Sequence, residues 1–374
     1  MDRAFMAFLI ADGILPAYFR EISMHTLFSS SLFRCALAGV ALAAAPVFVS
    51  LAAPAHASAQ GPYKILDSWK LGGEGGWDYL LADAGAHRLY ITHGTRVEVV
   101  DTQTGKAVGA ITGLHGTHGV ALDTAGKYGY ISDGGGNAVV VFDRGTLATV
   151  ATIPAGTNPD GIIYEPATQT VWAFNGRSKN ATVIDAASQK VVATIDLPGK
   201  PEFPQVDGKG NVYDNIEDKS QIVKLDARTK TLAAAWPAGC EEPSGLAIDT
   251  AGGRLFAVCD RKMSVVDTAT GKVLGTPEIG DGPDAANYSP KYKVAFASCS
   301  DGTLHIIDAS GSDFKPLQVM PTARRARTMT YDPATNRAYL VTADFGPAPA
   351  ATTENPRPRP AIVPDTFRVI VIGR

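Results

Sequence analysis

Three histidines and a set of spaced carboxylates are the side chains here best equipped for chemistry. His93, His115 and His118 fall close together, with Asp78 before them and Asp133 after. Imidazoles and carboxylates together suit a first-row divalent metal, with the acid orienting the ring, so His93, His115 and His118 are the candidate metal ligands. His115-x-x-His118 shows no helical periodicity, so its spacing alone fixes no ligand geometry, and hydrogen-bonded surface histidines are the plainer reading. Further along come Asp160, Glu202 and Asp284, followed by Arg327. Carboxylates brought close raise one another's pKa and can do acid–base work or hold a cation. An electrostatically balanced surface is the alternative. Gly134-Gly135-Gly136 precedes no helical pattern, and neither a phosphate loop, a dinucleotide fingerprint nor a nucleophile elbow occurs.

The elements that must position these groups are set by repetition. Aromatic residues recur at Tyr90, Tyr130, Trp172, Tyr213, Phe256, Phe296 and Tyr339, with gaps of 40 to 43 residues. Each lies in a short apolar run. A polar turn precedes it, opened by Asp83, Asp123, Glu165, Asp207, Asp249, Ser289 or Asp332, and a third run comes after it that usually ends in Asp, as at Asp101, Asp143 and Asp267. A fourth β-branched run completes the period, for example Val191-Val192-Ala193-Thr194-Ile195. Short β-branched runs bounded by Gly, Asp and Asn are strands joined by tight turns, and no stretch sustains a helical period. Four strands per repeat and seven repeats predict an all-β, seven-bladed β-propeller over residues 58–374. The last repeat lacks its outer strand, and Tyr63–Trp69 supplies one from the other end, so the N-terminal strand closes the last blade.

On a propeller the connections into the inner strands share one face, the top, with the loops after the second strands. Aligned repeats place two rings there. The first is Asp78, His118, Asp160, Glu202, Ser244, Asp284 and Arg327; the second is His93, Asp133, Asn175, Ile216, Cys259, Cys299 and Thr342. The mixture of residue types predicts a tailored ligand site formed by Asp78, His118, Asp160, Glu202, Asp284, Arg327, His93, Asp133 and Asn175, against a plain solvated channel mouth. Between Thr342 and Phe367 lie six prolines with Arg357 and Arg359 interleaved. This reads as a stiff arm over the top face, serving as a lid, a docking strip or a spacer.

The aromatic strands Tyr90-Ile91-Thr92-His93, Tyr130-Ile131-Ser132-Asp133 and Tyr339-Leu340-Val341-Thr342 resemble the YVTN β-propeller repeat, and residues 63–374 resemble the YncE-like members of that family. The resemblance implies the fold, a periplasmic setting, and single-stranded nucleic acid binding in one branch; no DNA-binding residue carries over. The formal net charge of −3 argues against a nucleic acid partner, which needs a basic groove. The functional reading is therefore an exported binding propeller whose polar top takes a small ligand, peptide or partner protein. A metal-assisted hydrolase or lyase is the first alternative and single-stranded nucleic acid binding the second; the one cofactor foreseen is a divalent metal.

Residues 1–57 read as an N-terminal extension and a secretory signal. Arg34 precedes an apolar run from Cys35 to Ala53, after which Ala55-His56-Ala57 forms the cleavage site, with Met24 an alternative start. Location is expected to be periplasmic or secreted, with no membrane span after cleavage. Cys240, Cys259 and Cys299 remain in the mature chain. Cys240 precedes blade five's inner strand and Cys259 ends the strand paired with it, so the hairpin predicts a Cys240–Cys259 disulfide and a free Cys299.

Overall fold

The computed structural model describes residues 61–350, 352 and 358–374. Residues 1–57, read as extension and signal, lie outside the described residues. Among the described residues, 28 strands form seven four-stranded antiparallel sheets, the blades of a β-propeller. Six blades use four strands consecutive in the chain. The seventh is ordered Lys64–Lys70, Arg368–Gly373, Arg337–Thr342, Met329–Asp332, so both ends of the chain meet in one sheet. No helix among the described residues is long and apolar enough to cross a membrane.

The repeating aromatics are the mortar between blades. All seven are buried. Tyr90 of blade one packs with Val120, Ile131 and Phe142 of blade two, and Tyr213 of blade four with Leu246 and Leu255 of blade five. The recurrent Asp closes the turn after the third strand: Asp101 Oδ1 accepts the backbone N–H of Gln103 and Thr104 and the Thr104 hydroxyl, and Asp267 does the same for Ala269 and Thr270. Such Asx turns fix a tight reversal from a local side chain. Two of these turns also seat a tryptophan from the preceding blade. A Cβ at Gly105 would come 2.5 Å from Trp69, and one at Gly271 2.1 Å from Trp236. Both glycines have positive φ, so shape and backbone each demand glycine there.

Closure rests on register from Lys64↔Gly373 to Lys70↔Arg368. Gln318 of blade six fastens the entry to this strand: its Oε1 accepts from Tyr63 N at 3.0 Å and its Nε2 donates to Tyr63 O at 2.9 Å. Trp69 packs on Tyr339, ring centroids 5.7 Å apart.

In blade five a disulfide joins Cys240 and Cys259, Cα atoms 5.9 Å apart. Cys299 is a buried free thiol. The arm's two legs pair where described: Gly346 N donates to Ala361 O and Val363 N to Asp344 O, with Phe345 bridging Ile362. Arg357 lies outside the described residues.

Deleting residues 61–70 would leave the seventh blade with an unpaired edge and remove Trp69 from the seam. The truncated protein should melt at least 10 °C lower or aggregate during a thermal scan; unchanged melting would show that closure does not depend on this strand.

Candidate functional site at the channel mouth

The site is created by a backbone irregularity that recurs around the ring. Register between inner and second strand slips between Trp77 and Leu80, Thr117 and Val120, Pro159 and Ile162, Pro201 and Pro204, and Pro283 and Ala285. Inside these slips sit Asp78-Tyr79, His118-Gly119, Asp160-Gly161, Glu202-Phe203 and Asp284. A bulge bends its strand and re-aims its side chains, and here it turns the first ring toward the axis. Polar second-strand residues take up backbone carbonyls at or beside the first ring, in bulged and regular blades alike. Thr92 Oγ1 donates to Tyr79 O and His118 O at 3.1 and 2.9 Å, and Ser132 Oγ to Asp160 O at 2.5 Å. Asn215 Nδ2 donates to Ser244 O at 2.7 Å, and Ser298 Oγ donates to Arg327 O. Each of these side chains reaches into the next blade, so the ring residues are held by their neighbours. Sequence reading passes over this set, although it stands two residues after the aromatic in four of the seven repeats, the others having Phe174, Val258 and Val341 there.

Near the axis there is little room. A Cβ at Gly161 would lie 2.6 Å from Glu202 O and 2.5 Å from Pro204, and one at Gly245 2.5 Å from Asp284 O. The position that is Gly119, Gly161 and Gly245 in three blades is Tyr79 in blade one and Phe203 in blade four. These two rings meet edge to face, centroids 4.9 Å apart, and the Tyr79 hydroxyl donates to Glu202 O at 3.1 Å across the channel. They floor the mouth. Below them is a separate cavity of about 490 Å³, reaching down to Asp123, Arg144 and Tyr331, which no acid or imidazole of the first ring lines.

Above the floor, charges alternate. His118 Nδ1 lies 2.7 Å from Asp78 Oδ2 and 3.5 Å from Asp160 Oδ1. Lys200 pairs with Glu217 and stands 3.0 Å from Glu202, an ion pair without hydrogen-bond alignment, and Arg327 lies 3.3 Å from Asp284. Burial opposes charge on His118, yet the Asp78 hydrogen bond and the charges of Asp160 and Glu202 prevail and raise its pKa to about 9. Burial first, then the Asp78 charge, lift Asp160 to about 7 against the pull of His118. Burial and the Asp160 charge lift Glu202 to about 8, and burial lifts Asp284 to about 6 despite Arg327. Behind them Asp214 is fully buried at a position that is Ile91, Ile131 or Leu340 in other blades. Burial, then the charges of Glu202 and Asp160, push its carboxyl well above the usual range.

The second ring has a different role. His93, Asp133 and Asn175 are 0%, 2% and 0% exposed. His93 sits between Gly75 O and Glu98, both at 3.2 Å, and against the Phe367 ring. Asp133 accepts from the backbone N–H of His115 and Gly116 and from His115 Nδ1. Asn175 donates to Asn180 and Thr182. The structure therefore does not bring the three histidines onto one centre. Each imidazole has its own carboxylate, and the His115 side chain is 70% exposed at the rim. Among the described residues, the group able to offer three donor atoms within 4.8 Å of one another is Asp78, His118 and Asp160. The second ring is thus buried at the strand ends, whereas the first lines the mouth with side chains that range from the nearly buried Asp160 to the half-exposed Arg327.

Similarity to known proteins accords with this geometry. Over 150 residues the chain is 27% identical to "Uncharacterized protein YncE" of Salmonella typhi and to its counterpart in Salmonella typhimurium. The chain is similar to YncE. The match covers 38% of this chain and 42% of each YncE protein, so it spans less than half the relatives' length. No family model matches. Among solved structures, "Kuenenia stuttgartiensis Hydrazine Synthase" superposes with a TM-score of 0.62 at 17% identity, covering 77% of this chain and 94% of that one. The "RRP9 WD40 repeats" superpose at 0.67 and 8% identity, covering 84% and 98%. Identities this low speak for the propeller fold alone.

The packing and charge of the mouth make two outcomes measurable. Gly161→Ala, with a Cβ driven against the Glu202 carbonyl, should cost ~1–3 kcal/mol by denaturant titration, as overpacking does. Asp160, Glu202, Asp284 and His118 all hold protons to higher pH folded than unfolded. The native state thus binds more protons, and stability should fall as pH rises from about 4, where the unfolded carboxyls ionise, to about 9. Asp160→Asn with Glu202→Gln should flatten that decline in melting temperature; an unaltered slope would place its origin elsewhere.

Proposed function

We propose that this chain is an exported binding propeller whose channel mouth takes a small ligand bearing a positive centre, a divalent cation being its simplest form. One observation carries the reading: Asp78, His118 and Asp160, from three blades, converge their donor atoms within 4.8 Å over a closed floor. Burial and the Asp78 charge hold the Asp160 carboxyl above its ordinary value, and His118 keeps its proton against burial through its carboxylate neighbours, a balance that an arriving cation would replace. A metal would stand where His118 Nδ1 now holds a proton between two carboxylates, so binding must expel that proton. The apolar stretch before Ala55-His56-Ala57 supports export.

Isothermal titration of untagged protein with Mn²⁺ or Zn²⁺ tests this. Affinity should climb about tenfold per pH unit between pH 7 and pH 8, as expected for release of the His118 proton, and more steeply below about pH 7, where Asp160 must lose one too; it should vanish in Asp160→Asn/His118→Gln. Binding that ignores pH, or survives the double substitution, would refute the assignment.

Metal-assisted hydrolysis is the second reading, favoured by Glu202, whose carboxyl near 8 would exchange protons at neutral pH beside the same group. Ester or phosphoester turnover by ion-loaded protein, lost in Glu202→Gln while ion binding persists, would decide for it.

A further inference from the structure

Blades six and seven carry a second polar cleft outside this acidic group. Arg324, Arg325, Arg327 and Arg359 line a cavity of about 620 Å³ with Ser300, Asp281 and Asp301. Four guanidiniums here oppose a chain of formal charge −3. Asp301 is already engaged: Oδ1 accepts from Thr303 N and Oγ1, and Oδ2 from Asp281 N. Arg327 has Asp284 at 3.3 Å, but among the described residues no carboxylate pairs with Arg324, Arg325 or Arg359. Burial, then the charges of Arg359, Arg327 and Arg324, hold the Arg325 guanidinium below its ordinary value, which marks positive charge left uncompensated.

The arginines stand on a fixed turn. Thr322 N donates to Gly302 O, Arg325 N to Ser300 O and Ala326 N to Ala323 O, while Thr342 Oγ1 donates to Arg324 O at 2.9 Å. The Arg325 guanidinium lies 4.9 Å from the Phe345 ring centre, stacked on the base of the arm that also brings Arg359. Stacking and a pinned backbone lower the entropy lost when a guanidinium fork engages an anion. A second cavity of about 740 Å³ shares Arg324 and Arg325 and continues along Phe345, Pro347, Pro358 and Pro360.

We infer that this arginine cleft binds a multiply charged oxyanion group, a phosphate or a polycarboxylate, with the proline-lined cavity receiving the body that carries it. Guanidiniums are suited to bidentate recognition of both chemistries. The site does not rest on the cation reading, since Arg324, Arg325 and Arg359 lie outside that group.

The test is calorimetric titration of EDTA-treated full-length protein with inorganic phosphate, pyrophosphate and citrate. Pyrophosphate or citrate should bind, more weakly at higher salt, and Arg324→Gln/Arg359→Gln should weaken that binding at least tenfold without moving the melting temperature of the ligand-free protein. Preference between pyrophosphate and citrate distinguishes the phosphate from the carboxylate source. Absence of binding by all three anions at millimolar concentration overturns the inference, as does equal affinity in the double variant. Mn²⁺ titration of the same variant should match wild type, so failure here and failure of the cation site are separable.

Discussion

A ring of sheets holds only while it is closed, and here closure is a single antiparallel pairing between the two ends of the chain. Lys64–Lys70 against Arg368–Gly373 is the strand pairing of longest sequence separation, so it carries the largest loop-closure entropy among the sheets. Six blade-to-blade contacts join neighbours in sequence; the seventh packs Trp69, Tyr339 and Phe367 of blade seven with Leu80, Leu89 and Ile91 of blade one, while the Tyr63–Gln318 clasp ties the closing strand to blade six. Once the ring is shut, seven inner strands must share one axis, and the crowding there dictates which side chains the channel can hold.

Crowding accounts for the character of the mouth. Strands that approach until a methyl group would collide leave glycine as the residue that fits, as at Gly161 and Gly245. Space spared in those blades is filled from blades one and four by Tyr79 and Phe203, which convert a tube into a well. Bulges then concentrate acids above that floor, where limited water access and mutual repulsion favour their protonated forms. A site with its protons held ready to leave is a consequence of packing as much as of residue choice.

The fold was legible because periodicity is redundant: seven aromatics, seven turns and one displaced strand all point to the same ring. The first ring was legible too, since the repeat alignment fixes which residues begin each inner strand. What the alignment lacked was direction. It placed His93, Asp133 and Asn175 beside the channel, but strand ends turn them into the blade interfaces, and only the register slips, which leave no residue signature of their own, turn Asp78 or Asp160 to the axis. Tyr79 and Phe203 were readable as the large residues at a position of small ones, a contrast that becomes visible only when repeats are compared across the ring. The arginine cleft depends on a meeting between Arg324-Arg325 and Arg359 that no local pattern announces.

The free thiol of Cys299 has a chemical consequence for the bridge in the neighbouring blade. Among the described residues one disulfide and one thiol stand together, so the attacking group is at hand, and exchange requires thiolate. Burial first, then the nearby Asp301, raise Cys299 to about 12, so at neutral pH the folded protein keeps it as the unreactive thiol. Folding thus keeps Cys240–Cys259 from being reshuffled by its own sequence. Should blade six come apart, the thiol returns to an ordinary pKa of about 8.5 and scrambling begins. The pairing of the cysteines is, in effect, a chemical memory of whether a given molecule has ever unfolded.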